Sequence, residues 1–262
     1  MTQTNRNINR KALSEAAHLR RATDFERREQ YEEAVNSMLK ALEAQPDNAE
    51  SWCRLGDLYR SLAKFDLAIR VYQKSVDLNP DDISAQESLL QTYLELGRCD
   101  EAVAHSKGIL KRSPKSMHAR DVLSVAYLQL GLIDKALRVT DELIRMDPAD
   151  PSNHFKKAVL FQQKGEVGMA IREFARVLDM APESSIAEQA RQAVSSLDTF
   201  QLRQIASLAS EDNIFRTKLL RDAESAALEK GYVLSYTGLM ALRQMSFDTP
   251  TEDDNPQYYH YH

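Results

Sequence analysis

Apolar residues recur along residues 15–184 at the spacing of short amphipathic helices, and the whole pattern repeats every 34 residues. In the second copy, Leu55 and Tyr59 mark one helical face, and Ala68 and Tyr72 mark the facing side of the next helix. Each copy therefore predicts two helices that pack large side chains against small ones. The predicted hairpins are residues 15–48, 49–82, 83–116, 117–150 and 151–184, preceded by an N-terminal extension at residues 1–14.

Three residue types keep the same period throughout the five copies. A proline, an aromatic residue and an alanine recur at Pro46, Pro80, Pro114, Pro148 and Pro182, at Phe25, Tyr59, Tyr93, Tyr127 and Phe161, and at Ala34, Ala68, Ala102, Ala136 and Ala170. Because proline lacks an amide donor and disfavours helix at the residue before it, we expect each second helix to end just before its proline. One hairpin cannot bury both of its apolar faces, so neighbouring copies must stack.

The second copy has the most complete motif. It carries Trp52, Leu55, Gly56, Tyr59, Ala68, Tyr72 and Pro80. This spacing resembles the tetratricopeptide repeat family, in which Trp, Leu-Gly and Tyr are followed by Ala and Pro at the same intervals. The resemblance implies an all-α solenoid of five helix-turn-helix repeats, with a concave groove that binds protein partners.

Some members of this family hold an acidic peptide in the groove through a clamp of Lys, Asn and Arg. The matching positions here lack that clamp and include Asp57, Glu87 and Asp121. The residues predicted to line the groove are Asp57, Glu87, Gln91, Asp121, Val125, Leu128, Phe155 and Val159. The predicted lining is acidic in the second to fourth repeats and apolar in the fourth and fifth. This pattern favours an apolar or amphipathic helix as ligand. Alternatively, Phe155 and Val159 pack against the next helix of the chain itself.

One copy departs from the pattern at its helix–helix contact. Leu90 occupies the close-contact position that holds Gly56, Ser124 and Ala158 in other copies. Because a large side chain keeps two helices apart, the third hairpin is predicted to be splayed or slightly rotated.

Composition narrows the function classes. With 262 residues, 43% of them hydrophobic, the chain is long enough for a sizeable core, and its net charge of -5 argues against a nucleic-acid partner. Cys53 and Cys99 lie inside the repeats and are predicted to be small buried thiols rather than a disulfide or metal pair. We find no signal-like N terminus and no apolar stretch of about 18 residues, so we expect a cytoplasmic protein without a membrane partner.

The period stops after Ser184. Residues 185–197 predict a helix that caps the last apolar face of the repeats, and residues 198–245 predict a further helical unit. Within that unit, Ser210 and Ser235 are predicted helix starts. Residues 246–262 are acidic and contain proline, which predicts a flexible, disordered tether.

A second resemblance lies in the helical unit. The positions that carry it are Phe215, Arg216, Leu219, Leu220, Leu228, Gly231, Tyr232, Leu234 and Leu239. They are similar to the helical leader segments of the nitrogen-fixation and nitrile-hydratase type, found on precursors of ribosomally made, post-translationally modified peptides. A comparable helix-loop-helix occurs in the small subunit of some extradiol dioxygenases. The leader resemblance implies that these residues dock a modifying enzyme that acts on the segment after them, although the double-glycine processing site of that family is missing.

The chain ends in Tyr258, Tyr259, His260, Tyr261 and His262. Aromatic rings normally find a core, and the tether offers none. Three interpretations stay open: the tail is modified by a recruited metalloenzyme, His260 and His262 form a partial copper or zinc site, or the tail is a docking peptide without chemistry or without consequence.

Residues that would support catalysis by the chain itself are not apparent. There is no glycine-rich phosphate loop, nucleophile signature or metal-ligand spacing. The histidines His18, His105, His118 and His154 are interpreted as surface or groove residues. The sequence therefore predicts a non-enzymatic scaffold without cofactor, which recruits a tailoring enzyme to its own tail. The alternative is a plain adaptor that joins other proteins through its groove.

Overall fold

The computed structural model describes the backbone of residues 3–247 and the side chains of residues 13–247. Within these residues the chain folds into fourteen α-helices and no strand, which confirms the predicted all-α class. The helices are α1 (Gln3–Glu26), α2 (Tyr31–Ala44), α3 (Ala49–Ser61), α4 (Phe65–Leu78), α5 (Ile83–Glu95), α6 (Cys99–Arg112), α7 (Met117–Gln129), α8 (Ile133–Met146), α9 (Pro151–Lys164), α10 (Val167–Met180), α11 (Ser185–Glu211), α12 (Asn213–Arg221), α13 (Ala223–Glu229) and α14 (Tyr236–Gln244).

The chain divides into two compact units, residues 1–139 and residues 140–262. Helices α1 to α7 belong to the first unit and helices α9 to α14 to the second, and the boundary falls within α8. Each predicted repeat contains one pair of helices. Residues 3–14 of the N-terminal extension are helical as well, because α1 begins at Gln3.

A polar cap begins the helix that follows each proline. The capping residues are Asn48, Asp82, Ser116, Asp150 and Ser184, and the side chain of each accepts a hydrogen bond from a backbone N–H of the first turn. These contacts satisfy donors that a helix leaves without an internal partner. The caps share the 34-residue period of the prolines, so the sequence marks the start of these helices as well as their ends.

The turn inside each hairpin contains one residue with a left-handed backbone. These residues are Glu29, Ala63, Gly97, Gly131 and Gly165, with φ between 54° and 81°. Glycine adopts this conformation without a steric penalty, whereas Glu29 and Ala63 each carry a Cβ that disfavours it by about 1–2 kcal/mol. The repeat therefore specifies the backbone conformation of the turn more strictly than the residue type at the left-handed position.

The second hairpin packs by matching a missing side chain to a large one. A Cβ at Gly56 would overlap the ring of Tyr72, which is fully buried. In the third hairpin the volumes are exchanged. Leu90 occupies the position of Gly56 and is fully buried, and Ser106 occupies the position of Tyr72.

This exchange loosens the third hairpin. Helices α5 and α6 contact each other less than α3 and α4 do, and α6 packs more extensively on α7. The Ser106 Oγ atom is buried without a hydrogen-bond partner among the described residues. The predicted splaying of the third hairpin is therefore confirmed, and its cause is a large residue in the close-contact position.

In the second unit, α9 and α10 enclose a buried carboxylate. Glu173 Oε2 lies 2.8 Å from His154 Nδ1, and Glu173 Oε1 lies 3.0 Å from the Arg176 guanidinium and 3.6 Å from Lys157 Nζ. Three basic side chains thus surround one acid that is 3% exposed. His154 is buried as well, so its interpretation as a surface or groove residue is wrong.

The predicted capping helix is longer than expected. The helix that begins at Ser185 does not end at residue 197 but continues to Glu211, so residues 198–211 extend it rather than start a new unit. No proline or glycine interrupts the sequence there, and helix propagation needs no new nucleation. The predicted helix start at Ser210 is also wrong, because Asp212 caps the next helix.

Two polar side chains of α11 hold the segment before α14. Asp198 Oδ1 accepts a hydrogen bond from Ser235 N at 2.9 Å, and Asp198 Oδ2 accepts one from the Ser235 hydroxyl. The Gln201 amide donates to Val233 O and accepts from Val233 N, both at 2.8 Å. A Cβ on Gly238 would overlap the Asp198 carboxylate, so a glycine allows this approach. Ser235 caps α14, as predicted.

Candidate protein-binding surfaces

Several predicted groove residues of the first unit contact side chains of the same repeat or of the next one. Asp57 Oδ1 accepts a hydrogen bond from the Tyr72 hydroxyl at 2.6 Å, and Gln91 donates to Glu95 Oε1 at 3.3 Å. Glu87 Oε1 lies 3.9 Å from His118 Nδ1. Asp121, Val125 and Leu128 are half-buried. These contacts lower the number of polar groups that remain available to a ligand.

A cleft of about 380 Å³ lies beside Glu87, between the starts of α5 and α7. Ile83, which is 67% exposed, and Met117 line it together with His118. His118 Nε2 is buried and has no hydrogen-bond partner among the described residues. The cleft combines an exposed aliphatic side chain with an acid and an imidazole, which suits an amphipathic ligand.

The two predicted apolar groove residues of the second unit differ in their surroundings. The Phe155 ring packs edge to face on Phe174, with centroids 5.4 Å apart. Phe174 lies on α10, so Phe155 contacts the next helix of its own chain, as the alternative interpretation predicts. Val159 is half-buried.

Neither cysteine has the setting of a reactive thiol. Cys53 and Cys99 are free and buried, as predicted. Burial, together with the nearby Asp57 carboxylate, raises the pKa of the Cys53 thiol to about 11. Among residues 13–247, no group of three His, Cys, Asp or Glu side chains is arranged to hold a metal ion.

The leader-like residues separate into a core set and an exposed set. Phe215, Leu219 and Leu234 belong to the hydrophobic cluster that joins α11 to α14, so the structure places them in packing positions rather than at a surface. Tyr232 and Leu239 pack at the edge of that cluster. Arg216 is half-buried, and Gly231 is exposed with φ +86° after the end of α13. Only Leu220 and Leu228 present large apolar side chains to solvent, with 61% and 62% of their surface exposed.

Further apolar side chains accompany Leu220 and Leu228 on these helices. Ile214 on α12 is 74% exposed and Tyr236 on α14 is 77% exposed. Sequence periodicity did not single these two residues out as recognition residues, because it gives the apolar positions of a short helix but not the face that a neighbour covers. Exposed apolar side chains that form a contiguous patch are typical of a protein-binding surface, whereas singly exposed ones are ordinary.

A second cleft, of about 480 Å³, lies within the second unit between the α9–α10 turn, α11 and the loop after α13. Phe200 and Met169 line it with exposed apolar groups, and Arg172 and Lys230 contribute positive charge. Gly168 lies in its wall, where a Cβ would press on Val233.

Two further predictions concern the C-terminal tail and membrane spans. Tyr258, Tyr259, His260, Tyr261 and His262 lie outside the described residues. No helix in the described part of the chain is both long enough and apolar enough to span a bilayer.

Comparisons with known proteins agree with the repeat pattern. One tetratricopeptide repeat model matches residues 19–83 and 88–153. A second model of the same description matches residues 123–195, which reach into α11. No curated protein matches the sequence.

Solved structures show the same fold. MamA from Desulfovibrio magneticus RS-1 aligns with a TM-score of 0.58 and 17% identity over 66% of this chain and 97% of its own. YrrB, described as a TPR protein with an unusual peptide-binding site, aligns with a TM-score of 0.54 and 17% identity over 67% of this chain and 90% of its own. A thermophilic TPR protein from Thermus thermophilus, TTC0263, aligns with a TM-score of 0.50 and 19% identity over 68% of this chain and 98% of its own. At these identities the likeness concerns the fold alone.

The helix pairs, their period and the family matches lead to one conclusion. Tetratricopeptide repeats present helical surfaces to protein partners, and this chain carries five consecutive copies. The chain belongs to the tetratricopeptide repeat family and is a protein-interaction scaffold of that family.

Proposed function

We propose that this scaffold recruits a modifying enzyme through helices α12 to α14 and presents its own C-terminal tail, residues 248–262, to that enzyme. The observation that carries the proposal is the set of large apolar side chains that these helices expose. They are Ile214, Leu220, Leu228 and Tyr236. We call this set the docking surface.

The hydrophobic cluster beneath the docking surface does not need these side chains. Phe215, Leu219 and Leu242 are each no more than 3% exposed and supply its centre. An exposed Leu or Tyr contributes little to folding but contributes strongly to an interface once a partner covers it. The arrangement therefore favours contact with a folded protein over a purely structural role.

The tail follows directly on a residue that packs against the cluster formed by α11 to α14. Phe247, the last described residue, packs against the same cluster as α12 to α14. A partner bound to these helices meets the tail as a tethered ligand, at an effective concentration in the millimolar range for a short flexible linker. A weak intrinsic affinity between enzyme and tail is then sufficient.

The tail has groups that a metalloenzyme or radical enzyme can modify. Three phenols and two imidazoles end the chain, and both ring types are electron-rich. Among the described residues, no group of three His, Cys, Asp or Glu side chains is arranged to hold a metal ion. The proposal assigns the chemistry, together with its oxidant, to the partner.

The test is the intact mass of the protein purified from its native cell. We expect a mass change that fragmentation assigns to residues 258–262, and we expect Leu220→Asp combined with Leu228→Asp to abolish it. The matched control is Ile83→Asp, which places the same charge on an exposed aliphatic residue of the first unit. An unmodified tail in the native protein would contradict the proposal, and so would full modification of the double variant.

A plain adaptor is the second candidate, and the cleft beside Ile83 favours it. That cleft offers an aliphatic side chain next to Glu87 and His118, without any role for the tail. If the adaptor function is correct, Ile83→Asp abolishes binding of the native partner, whereas the double variant at Leu220 and Leu228 keeps it.

A further inference from the structure

The cleft between the α9–α10 turn and α11 has an unbalanced charge. We call it the Phe200 cleft, after the side chain that is 59% exposed at its wall. The only polar contact that the structure gives the Arg172 guanidinium is the Met169 sulfur at 3.8 Å, so no carboxylate of the described residues neutralises it. The acid in the lining, Glu166, is paired with Lys164 at 2.9 Å.

A second cation, Lys230, also lines the cleft. Its ammonium group forms an ion pair with Asp212 at 3.4 Å and lies 5.5 Å from the centre of the Phe215 ring, and its side chain is 39% exposed. The lining therefore combines the cations Arg172 and Lys230 with the apolar side chains of Phe200 and Met169. A ligand that suits this arrangement carries both carboxylates and aromatic rings, because a guanidinium binds acids and also stacks on aromatic faces.

The C-terminal tail has that composition. Residues 248–262 combine four acids with three tyrosines and a terminal residue that carries a carboxylate if it ends the protein: Asp248, Glu252, Asp253, Asp254, Tyr258, Tyr259, Tyr261 and His262. No described segment between α11 and α14 combines acids and tyrosines in this way. The charge of the tail is thus complementary to that of the cleft.

The length of the tail allows it to reach the cleft. Phe247 lies beside Ala209 of α11, and Phe200 lies on the same helix, about 14 Å away along its axis at 1.5 Å per residue. The side chains of Phe200 and Ala209 point to different sides of α11, so the tail must also pass around a helix about 10 Å wide. Ten residues lie between Phe247 and Tyr258, and the eleven Cα-to-Cα steps of an extended chain span roughly 36 Å.

We propose that the tail of this chain docks in its own Phe200 cleft, with its acids toward Arg172 and Lys230 and its tyrosine rings on Phe200 and Met169. The docked tail is withheld from solvent, and a partner enzyme gains access when it competes the tail out of the cleft. This inference rests on the proposed function only where it treats the tail as the segment presented to an enzyme. Docking itself is a property of the chain alone.

The test uses the full-length chain without any partner. A nitroxide is attached at His262→Cys, because the two natural thiols are buried, and the methionine methyl groups carry ¹³C. We expect the Met169 methyl signal to fall below about half of its intensity, since a tethered segment meets its site at millimolar effective concentration. Met38, in the core of the first unit, serves as the reference signal.

Matched charge reversals on two exposed arginines decide whether the cleft is responsible. Arg172→Glu should restore the Met169 signal, whereas Arg203→Glu, which reverses an exposed charge of α11 outside the lining, should leave it broadened. Circular dichroism checks that both variants keep their helices. Added salt should weaken the effect, because the Debye length falls to about 3 Å at 1 M.

Three outcomes would overturn the inference. The first is an unchanged Met169 signal in the nitroxide-labelled chain. The second is equal broadening in the Arg172→Glu and Arg203→Glu variants. The third is broadening of ¹³C-labelled chains by separate nitroxide-bearing chains, which would assign the cleft to the tail of a second copy. Because no enzyme is present, each result stands whether or not the native tail is modified.

Discussion

In the second hairpin, a missing side chain at Gly56 makes room for the ring of Tyr72, whereas at the C-terminal end the Asp198 carboxylate of α11 holds the start of α14. The hairpin contact joins residues 16 apart and depends on volume. The C-terminal contact joins residues 37 apart and depends on hydrogen bonds. The hairpins thus accommodate an exchange of the large and the small residue, with a looser helix pair in the third hairpin, while the C-terminal helices depend on individual polar groups.

The same two regions differ in what they expose. Among the hairpins, large apolar side chains are mostly buried or less than two-fifths exposed, with Ile83 at 67% as an exception. The C-terminal helices expose Ile214, Leu220, Leu228 and Tyr236 over more than half of their surfaces. A repeat uses its apolar groups to hold its neighbours, whereas these helices have apolar groups left for another molecule.

The largest effect is expected at Tyr72. Tyr72→Ser should lower the free energy of unfolding by about 3–5 kcal/mol, because it leaves a cavity where a fully buried ring packs on Gly56. Adding Gly56→Leu should recover a large part of this loss, since the pair then matches Leu90 and Ser106 of the third hairpin. Urea unfolding followed by the fluorescence of Trp52, the single tryptophan, measures both.

A control separates packing from hydrogen bonding at the same site. Tyr72→Phe keeps the ring and loses only the hydrogen bond to Asp57, so the expected loss is about 0.5–1.5 kcal/mol. If Tyr72→Ser with Gly56→Leu were no more stable than Tyr72→Ser alone, matched side-chain volumes at these two positions would not explain how the hairpin packs.

The next largest effect concerns Asp198. Asp198→Ala should lower the stability of the C-terminal helices by about 1.5–3 kcal/mol, because the backbone N–H and the hydroxyl of Ser235 both lose a charged acceptor. Hydrogen exchange of residues 233–244 should accelerate while that of the hairpins in the first unit stays unchanged. Asp198→Asn retains one acceptor oxygen and should have a smaller effect. Uniform acceleration of hydrogen exchange along the chain would contradict a stabilising contact that is specific to the C-terminal helices.

Acid should weaken the two regions in different pH ranges. Burial lowers the pKa of His105 below its ordinary value of 6.5. The folded chain then takes up this proton less readily than the unfolded chain, so stability is present above about pH 6.5 and declines below it. The hydrogen bond from Phe215 N lowers the pKa of Asp212, so that its contribution persists above pH 3.8 and is lost only as the pH falls through the lowered pKa.

Unfolding monitored at both sites across this range measures the difference. Trp52 fluorescence should report a decline below about pH 6.5 that His105→Gln removes, while the protection factors of the α12 amides stay constant down to about pH 3.8. A decline of both regions in one step would show that other groups dominate the acid response.

The smallest effect on stability is expected on the docking surface. Leu220→Asp with Leu228→Asp should change the free energy of unfolding by no more than about 0.5 kcal/mol, because both side chains are mostly exposed. The neighbouring variant Leu219→Asp is the matched control, since Leu219 is 3% exposed and a buried charge should unfold the cluster. A thermal melt by circular dichroism compares the two. A large loss in the double variant would mean that these leucines serve packing.

Much of the fold could be predicted from residues that repeat. The period of the prolines, aromatics and alanines indicated every hairpin, and the substitution of Leu90 for Gly56 indicated the open third hairpin. The polar caps at Asn48 and Asp82 carried the same information at helix starts. The sequence predicts these features because each depends on residues that lie within one or two helical turns, or one repeat, of one another.

The candidate sites were less predictable. An apolar pattern shows that Phe215, Leu219 and Leu220 are on a helix, yet which of them is covered depends on the neighbouring helices. The burial of His154 depends on Glu173 in the next helix, and charged residues on amphipathic repeats are ordinarily solvated. The full length of α11 was not predicted, because a domain boundary was expected after residue 197. The sequence has no proline or glycine there to end a helix.

The amino-acid sequence by itself determined the helical hairpins, their number and their register, because the contacts that specify them recur at a short and constant spacing. The tertiary structure alone decided that Asp198 and Gln201 hold residues more than thirty positions later, and that Leu220 is exposed while Leu219 is buried. Contacts between residues distant in the sequence leave no period, so only the folded chain shows which polar groups meet and which apolar groups remain for a partner.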